Sequence, residues 1–522
     1  MIDIIFIIPN NADVTYQELS KKYSAIETPT WALLLAESCR KKGYKVEILD
    51  TLAENLSDDE SIKRINNAKP KLVCFVVYGQ NVNAGTTNMS GATRLSTYLK
   101  NNNLKTLISF VGSHVQALPK KTLENEKSID FVFLNEGVYS IWNILKLDEI
   151  SLENISNVKG IAYKKGDEII INEPERVVPN ERMDIDLPGY AWDLLPFKNK
   201  PLDLYRSPMW HAEYIKDQRS PYAAIQTSLG CQFKCSFCMI NLINRNNSDE
   251  VGVASNYSGM RYWSPEFIIK EFDKLINFGV KTIRIVDEMF LLNPKYYIPL
   301  CNLLAERNKE DNLRLWAYSR IDTVKRKDVL NLVRKAGIKW LCLGIESGDK
   351  KVRLEVAKGR FEDVDVENVI KQVHESDIEV MANYIYGLPG DTTETIEKTF
   401  KLSVKLNTLG WNTYAAMALP GSELFKNALK NNIKLPNSYE GYSFHSYSTQ
   451  PLPTEKLSAA EILKLRDEKF IEYHTNNDFL NKIEKKFGKA ARQNIAEMTK
   501  IKLKRKIIEE NNLLENLKIK IY

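Results

Sequence analysis

Two stretches of the chain alternate short apolar runs with amphipathic segments, and this alternation constrains the fold more than any other feature. In the first stretch, residues 1–145, apolar runs that predict strands fall at 2–9, 45–50, 71–78, 106–113 and 129–137. Apolar residues at helical spacing predict helices at 29–45 and 89–103. Nearly continuous apolar strands that alternate with helices are typical of a parallel sheet with both faces covered. We therefore predict an α/β protein whose N-terminal domain is doubly wound and Rossmann-like.

The alternation resumes from about residue 221 and continues to about residue 430. Six strand–helix units in this stretch predict a parallel barrel of the (β/α)6 type, partial or complete. The proline-punctuated residues 146–220 predict a linker. Residues 431–522 turn aromatic and then charged, which predicts a loop followed by a helical C-terminal region.

Length and composition set the class of protein. A chain of 522 residues is too long for a single core and predicts two or three domains. No apolar run reaches the roughly 18–20 residues that span a bilayer, and the N-terminus lacks the pattern of a signal peptide. We predict a cytoplasmic protein with reduced thiols and no membrane span. No G-x-G-x-x-G follows the first strand and no P-loop is present, so a dinucleotide site has no support.

The cysteines are unevenly distributed along the chain. Cys231, Cys235 and Cys238 lie within eight residues after one predicted strand, and the other four are scattered singly through apolar segments. Structural zinc needs a fourth ligand, usually from a second close pair, and no such pair follows here. A [4Fe–4S] cluster also usually takes four cysteines, so three would leave one iron open for a substrate or cofactor. Three unrelated buried cysteines are the structural alternative.

The sequence CQFKCSFC at the end of a first barrel strand resembles the cysteine motif of the radical S-adenosylmethionine (radical SAM) superfamily. The resemblance implies that Cys231, Cys235 and Cys238 hold a [4Fe–4S] cluster whose open iron binds SAM. An electron from the cluster then cleaves SAM to methionine and a 5′-deoxyadenosyl radical. An electron donor such as a flavodoxin or a ferredoxin is implied as a partner.

The ends of the following strands resemble the same family in the same order. VDEMF replaces the usual Gly-Gly-Glu and implies that Glu288, beside Asp287, holds the SAM ammonium. YSRID supplies an arginine for the SAM carboxylate, LGIESGD suits the ribose hydroxyls, and YGLPGDT resembles the turn along the adenine. The SAM-binding residues that the resemblance implies are Phe237, Glu288, Ser319, Arg320, Glu346 and Ser347.

A doubly wound domain ahead of such a barrel resembles the cobalamin-dependent radical SAM enzymes, as do ETPTWALLLAESCRKKGYKVEILD and the strand ends FVGSH and FLNEG. The resemblance implies cobalamin without a protein histidine ligand, since the first histidine, His114, lies on a different loop from the histidine of mutase-type domains. A domain kept only for its shape is the alternative. The cobalamin-binding rim residues that we predict are Tyr78, Gly79, Gln80, Gly112, Ser113, Glu136 and Gly137.

The resemblance implies methylation of an unactivated carbon, with cobalamin as the methyl carrier. One alternative is a cyclase, rearranging or oxidising enzyme with the same cofactors. Another is an RNA-modifying enzyme docked by its basic tail, but nucleic acid is not the partner we expect, because a solvated helix face accounts for that charge. A small metabolite, a sugar, a lipid headgroup and a peptide all remain open as substrates.

The aromatic segment 439–453 predicts a substrate lid, and its alternative is a loop that packs against the bottom of the barrel. Two of its side chains, His445 and Tyr447, are our candidates for orienting the substrate or relaying a proton. Tyr318, Tyr384 and Tyr386 are candidates for lining the barrel or for its core.

Overall fold

The structure is a computed structural model that describes residues 2–79, 82–208, 219–324, 327–356 and 364–511. Two parallel sheets dominate this part of the chain, with helices packed around them. None of the helices within these ranges is long and apolar enough to cross a membrane.

The first sheet has the strand order β2-β1-β3-β4-β5-β6-β7. Its strands are β1 (Ile2–Ile8), β2 (Val46–Asp50), β3 (Pro70–Val76), β4 (Leu107–Val111), β5 (Phe131–Phe133), β6 (Ile161–Lys165) and β7 (Glu168–Ile171). The first five run parallel, in the 2-1-3-4-5 order of a doubly wound sheet. This confirms the predicted N-terminal fold class.

Helices cover both faces of the first sheet, which is why its strands are almost wholly apolar. The helices of this part of the chain are α1 (Ala12–Tyr16), α2 (Thr30–Lys41), α3 (Asp58–Ala68), α4 (Gly85–Asn101), α5 (Ser113–Ala117), α6 (Pro119–Asn125), α7 (Val138–Leu145) and α8 (Met183–Asp186). The burial of β1, β3 and β4 is nearly complete at their centres.

The predicted linker adds two strands to this sheet. β6 and β7 extend it antiparallel and are joined by Gly166-Asp167, a two-residue hairpin turn in which Gly166 has φ +62°. Only the first three residues of β6 are buried, and every residue of β7 is partly or fully exposed. The weak apolar signal of this edge hairpin explains why sequence analysis did not predict it.

The second sheet has six parallel strands in the order β15-β14-β13-β12-β11-β8, and its two edge strands do not pair with each other. It is therefore a curled, open half-barrel, as the (β/α)6 prediction implied. Its strands and a separate antiparallel pair, β9–β10, are β8 (Tyr222–Ile225), β9 (Ser228–Cys231), β10 (Gly259–Tyr262), β11 (Thr282–Ile285), β12 (Arg314–Arg320), β13 (Ile338–Glu346), β14 (Glu379–Tyr386) and β15 (Gly410–Ala415).

Helices pack on the convex face of the half-barrel, at its amino end and, at its carboxyl end, beside residues 235–238. They are α9 (Pro265–Asn277), α10 (Pro294–Arg307), α11 (Lys327–Lys335), α12 (Lys350–Val356), α13 (Val366–Glu375), α14 (Thr393–Leu406), α15 (Glu423–Lys430), α16 (Ala459–His474), α17 (Asn477–Phe487) and α18 (Lys489–Met498). The last three form the predicted helical C-terminal region. Tyr384 and Tyr386, predicted as candidates for lining the barrel or for its core, both lie on the convex face. Tyr384 packs beside Trp411, and Tyr386 packs against Ile396 and Ile462.

Candidate functional site

One face of the half-barrel is accessible in the middle of an otherwise buried sheet. On four adjacent strands, the partly exposed residues alternate with buried ones. They are Tyr318 on β12, Gly344 and Glu346 on β13, Asn383 on β14, and Asn412 and Tyr414 on β15. Because successive residues of a strand point to opposite faces, these all lie on the concave face. The half-barrel therefore encloses a cavity rather than a packed core.

Segments from the two ends of the chain cover the cavity on the side opposite the sheet. The ring of Tyr16 lies 5.5 Å from that of His445, and the ring of Phe444 lies 4.9 Å from that of Tyr414. Gln17 donates from Nε2 to the carbonyl of His445 at 2.6 Å. Phe444 and His445, from the segment predicted as a substrate lid, thus lie over the concave face.

Tyr447, in the same segment, points away from the cavity. Tyr447 is 43% exposed, and its hydroxyl donates to Glu509 at 2.8 Å. Burial lowers the pKa of His445 to about 3, so this ring is neutral. The two candidate catalytic side chains therefore do not act on one ligand, and Tyr447 lies outside the cavity.

The three clustered cysteines lie on the loop after β9, at the mouth of the cavity. Asn241 anchors the start of the loop by accepting from the backbone N–H of Cys231 at 2.8 Å. Burial raises the pKa of Cys231 to about 12 and that of Cys235 to about 11. Buried thiols of this kind ionise only against a strong positive charge, which the irons of a cluster supply.

No three histidine, cysteine, aspartate or glutamate side chains in the described ranges converge on a single metal ion. A [4Fe–4S] cluster does not require such convergence, since each cysteine binds a different iron. Three thiols spaced along one short loop fit a cluster with one open iron better than a closed structural zinc site, which takes four ligands, usually from two close pairs. The residues present therefore fit the implied group.

Two carboxylates face the cavity near this loop without any hydrogen-bond donor among the described residues. They are Glu288, after β11, and Glu346, at the end of β13. Burial raises the pKa of each to about 7, against smaller opposing contributions from Arg284 and Arg320. Glu346 also has φ +64°, a conformation that costs a non-glycine residue energy. Unpartnered carboxylates in such positions are suited to an ammonium and to hydroxyl groups.

The neighbouring Asp287 has a different role. Its carboxylate accepts from Thr227 N at 2.6 Å, Thr227 Oγ1 at 2.7 Å and Ser228 Oγ at 2.5 Å. It therefore ties the end of β11 to the turn between β8 and β9, which leads into the cysteine loop.

Arg320 projects toward the cysteine loop. Its guanidinium lies 3.6 Å from the centroid of the Phe233 ring, and it forms an ion pair with Asp322 at 2.5 Å. Ser319, also predicted to bind SAM, lies on the opposite face of β12, where its hydroxyl is 2.8 Å from that of Thr323.

Ser347 does not face the cavity either. It is fully buried, its hydroxyl lies 3.2 Å from that of Thr399, and it accepts from the backbone of Asp349. Two of the predicted SAM residues, Ser319 and Ser347, thus have structural partners. Both hydroxyls therefore point away from the cavity that their neighbours Arg320 and Glu346 face.

Phe237 packs against an apolar patch at the ends of β14 and β15. The patch contains Val352, Val356, Ile385, Leu388 and Ala416. Leu388 belongs to the Gly-Leu-Pro-Gly turn, so the structure brings together the two features that the sequence implied for adenine. A flat apolar surface here fits a purine ring.

The predicted cobalamin rim lies at the carboxyl ends of β3, β4 and β5. Tyr78 and Ser113 are buried there, Gly112 and Gly137 have positive φ, and Gly79 completes the strand end. Gln80 lies outside the described residues. A Cβ on Gly112 would lie 2.5 Å from the carbonyl of Val77, so only glycine fits at that strand end.

One buried acceptor at this rim has no donor. Gln116 donates through Nε2 to the hydroxyl of Tyr78 and to the carbonyl of Asn135, but its Oε1 receives no hydrogen bond from the described residues. Cobalamin is rich in amide N–H groups that would satisfy such an acceptor. The rim therefore fits cobalamin.

Two rim features differ from the prediction or qualify it. Glu136 forms a buried ion pair with Arg261 at 2.7 Å, so it joins the first domain to β10 instead of facing a ligand. His114 is buried, 3.2 Å from the hydroxyl of Thr86 and edge-on to Tyr439, and burial lowers its pKa to about 3. His114 is therefore packed between Thr86 and Tyr439.

The rim and the cysteine loop meet at Asn83, which follows β3. Its Oδ1 accepts from the backbone N–H of Met239 at 3.1 Å, and its Nδ2 lies 3.9 Å from Sγ of Cys238. The first domain therefore reaches the cysteine loop directly.

Sequence analysis missed the buried ion pair that lies on the concave face. Arg284 on β11 pairs with Glu27, before α2, at 2.6 Å, and donates to the hydroxyl of Tyr318. Tyr222 on β8 donates to Glu27 at 2.7 Å. A charged residue in the middle of the apolar strand TIRIV was the available signal for Arg284, whereas nothing in the sequence around Glu27 marks it.

The basic C-terminal segment also has a structural role. Arg505 is buried and donates to Asp467 on α16 at 2.8 Å and to the carbonyls of Phe444 and Ser446. It therefore fixes the segment that covers the cavity, which is an explanation for basic residues here that needs no nucleic acid.

Comparison with known proteins places these features in two families. Residues 225–403 match the family model of the Radical SAM superfamily, and residues 20–143 match that of the B12 binding domain. An uncharacterized methyltransferase of Pyrococcus horikoshii is 26% identical over 80% of this chain and 82% of its own. The anaerobic magnesium-protoporphyrin IX monomethyl ester cyclase of Cereibacter sphaeroides is 24% identical over 88% of this chain and 68% of its own.

Among solved structures, the radical SAM methyltransferase TsrM of Kitasatospora setae, with cobalamin and a [4Fe–4S] cluster bound, has a TM-score of 0.61. It is 15% identical, and the match covers 83% of this chain and 78% of that chain, which shows a shared fold. The cofactors of this family are a [4Fe–4S] cluster, SAM and cobalamin. The chain belongs to the radical SAM enzymes that carry an N-terminal B12-binding domain.

Proposed function

We propose that this enzyme transfers a methyl group from SAM, through cobalamin, to an unactivated carbon of its substrate. The observation that carries the proposal is the contact of Asn83 with Met239 and Cys238, because it brings the cobalamin rim beside the cluster loop. A methyl carrier and a radical source must both reach one substrate, and this contact supports such an arrangement. The similarity to a protein named as a methyltransferase supports it further.

The residues that we propose for each cofactor follow from the described contacts. Cys231, Cys235 and Cys238 would hold the cluster. When bound, the cluster and SAM supply the radical and cobalamin supplies the methyl group, with electrons from a donor such as a flavodoxin or a ferredoxin.

The chain's own side chains bind and orient the cofactors. Glu288 would pair with the SAM ammonium, Glu346 would accept from the ribose hydroxyls, and Phe237 would contact the adenine. Arg320, held by Asp322, would lie near the SAM carboxylate. Tyr78 and the strand ends at Gly112 and Gly137 would line cobalamin.

A second function is supported by the similarity to a cyclase that matches 88% of this chain. The same two cofactors would then drive ring closure without methyl transfer. Methyl transfer produces S-adenosylhomocysteine as well as 5′-deoxyadenosine, whereas ring closure without methyl transfer produces no S-adenosylhomocysteine.

The test uses full-length protein purified anaerobically, reconstituted with iron, sulfide and hydroxocobalamin, then reduced and given methyl-labelled SAM. We expect S-adenosylhomocysteine and label in the cobalamin fraction, in amounts that depend on added cobalamin. 5′-Deoxyadenosine as the sole SAM product, with no label on cobalamin, would contradict methyl transfer and favour the second function.

Cysteine variants provide the control for the cluster. Cys235→Ala is expected to lose the iron and the visible absorption of the cluster. Cys301→Ala, at a buried thiol inside α10, should retain both. Equal iron contents in the two variants would contradict the cluster assignment.

A further inference from the structure

We propose that the substrate is an uncharged molecule that presents a ring with hydroxyl or amide groups to the concave face of β12–β15. This inference rests on the proposed function in one respect, that the molecule bound in the cavity is the substrate of the reaction. It is drawn from the space, the charge balance and the polar groups of the cavity.

The space lies on the concave face, farther along the strands from the cysteine loop than Glu346. Gly344 has no side chain there, and it is partly exposed although it lies in a central strand, with the carboxylate of Glu346 directly over it. Asn383 on β14 aligns with Gly344, and Asn412 on β15 aligns with Asn383. These three residues form a floor across three strands, and Phe444 and Tyr16 lie on the opposite side.

The two cations of this region are paired before any ligand binds, whereas the carboxylate of Glu346 has no hydrogen-bond donor among the described residues. Arg284 is 3% exposed, lies 4.9 Å and 4.8 Å from the ring centroids of Trp316 and Tyr318, and is neutralised by Glu27. Arg320 is neutralised by Asp322. A phosphate or carboxylate group placed here would find both nearby cations already paired, and an unpaired charge is costly to bury.

The polar groups on the floor beside the Glu346 carboxylate are uncharged. Asn383 accepts from Asn412 Nδ2 at 3.2 Å and from the Tyr414 hydroxyl at 3.4 Å, and its own Nδ2 lies 3.4 Å from the carbonyl of Leu343. The hydroxyl of Tyr318 accepts from Arg284, which leaves its proton for a ligand acceptor. Hydroxyl and amide groups of a ligand match this set.

The remaining walls are aromatic. Tyr414 packs on Phe444, and Tyr16 packs on the neutral ring of His445. Rings of this kind contribute large apolar contact area and favour offset or edge-on packing with a second ring. Together the walls and the floor match a neutral ring with a few polar substituents.

The test compares two probes with the same ring system and different charge, 2-naphthol and 2-naphthoate, at pH 7. Equilibrium dialysis is done with full-length, cluster-reconstituted protein and saturating SAM, without reductant, so that no turnover occurs. We expect 2-naphthol to bind at least tenfold more tightly than 2-naphthoate. Equal or tighter binding of 2-naphthoate, or binding of neither probe, would overturn the inference.

Variants then locate the source of the preference. Glu27→Gln leaves the charge of Arg284 unpaired and should shrink the preference for 2-naphthol at least tenfold. Glu173→Gln, at an exposed ion pair with Lys159, is the matched control and should leave it unchanged. The double variant Glu27→Gln with Arg284→Met should restore the preference, and an unchanged ratio in Glu27→Gln would overturn the inference.

If Glu27→Gln does not fold, the inference is tested by Tyr414→Phe and by the ratio of the 2-naphthol and 2-naphthoate affinities of the wild-type protein. Loss of this hydroxyl should weaken 2-naphthol binding at least threefold, and unchanged binding would place the probe elsewhere. Because none of these measurements involves turnover, a failed charge preference is distinguishable from a failure of methyl transfer.

Discussion

Glu288 and Glu346 are poised between their charged and neutral forms. Burial raises the pKa of each to about 7 from a value near 4.5. Under the proposal that Glu288 pairs with the SAM ammonium, this carboxylate must be ionised, so protonation would compete with SAM binding. Bound SAM would in turn favour the ionised form.

We expect SAM affinity to fall with pH below about 7. Since protonation removes the charge of Glu288, the Kd of SAM should rise by up to about tenfold per pH unit below its pKa. Isothermal titration of anaerobic, reconstituted protein between pH 8 and 6 measures this. Glu288→Gln should bind SAM more weakly at pH 8 and vary less with pH, and a variant with the wild-type pH profile would rule out this carboxylate.

The residue scale also shows what a strand-end motif cannot specify. The motifs predicted the correct strand ends, and Arg320, Glu346 and Phe237 lie at the cavity. Ser319 and Ser347 are their immediate neighbours and lie elsewhere, because the side chains of adjacent residues diverge. Glu27 was beyond prediction, since it reaches Arg284 from another domain, 257 residues away in sequence.

At the scale of elements, the free edge of β8 is covered by side-chain hydroxyls instead of a further strand. Thr28 Oγ1 accepts from the N–H of Ala224 at 2.8 Å and donates to its carbonyl at 3.1 Å. Tyr190 makes the same pair of bonds with the backbone of Gln226. An exposed edge of this kind is a site of unwanted strand pairing, and these hydroxyls occupy it.

Thr28→Val is expected to destabilise this edge. The change keeps the shape of the buried side chain and leaves a buried N–H and carbonyl without partners, which costs about 1–3 kcal/mol. Hydrogen–deuterium exchange at Ala224 should accelerate in Thr28→Val and change less in Thr28→Ser, which keeps the hydroxyl. Equal exchange in the two variants would mean that the hydroxyl does not protect this edge.

Elements differed in how far sequence could predict them. The long apolar strands β1, β3 and β4 and the helices α2 and α4 follow from hydrophobic periodicity alone, because both faces of the sheet are buried. The hairpin of β6 and β7 is short and half exposed, so its pattern resembles that of a loop. An open half-barrel and a closed barrel have the same periodicity, and only the unpaired edges distinguish them.

At the scale of the whole molecule, buried polar contacts fix the first domain on the half-barrel. Glu136 pairs with Arg261, whose guanidinium also donates to the carbonyl of Val178 at 2.8 Å. Arg245 donates to the carbonyl of Gln116, and its own carbonyl lies 3.3 Å from Asn135 Nδ2. The two domains therefore hold a defined relative position.

Glu136→Gln should weaken this interface strongly. Removal of one member of a buried ion pair leaves an uncompensated charge and typically costs about 3–5 kcal/mol. We expect a lower midpoint of thermal unfolding and faster proteolysis between the domains. Glu173→Gln, at an exposed pair, should cost no more than about 1 kcal/mol of stability. Equal unfolding midpoints in the two variants would contradict a stabilising role of the Glu136–Arg261 pair.

The closure over the cavity joins distant parts of the chain. Gln17 exchanges hydrogen bonds with the backbone of Lys504, 487 residues later, and Arg505 secures the same segment. Residue 17 is synthesised long before residue 505. The nascent protein therefore cannot cover the concave face in this way until residue 505 has left the ribosome.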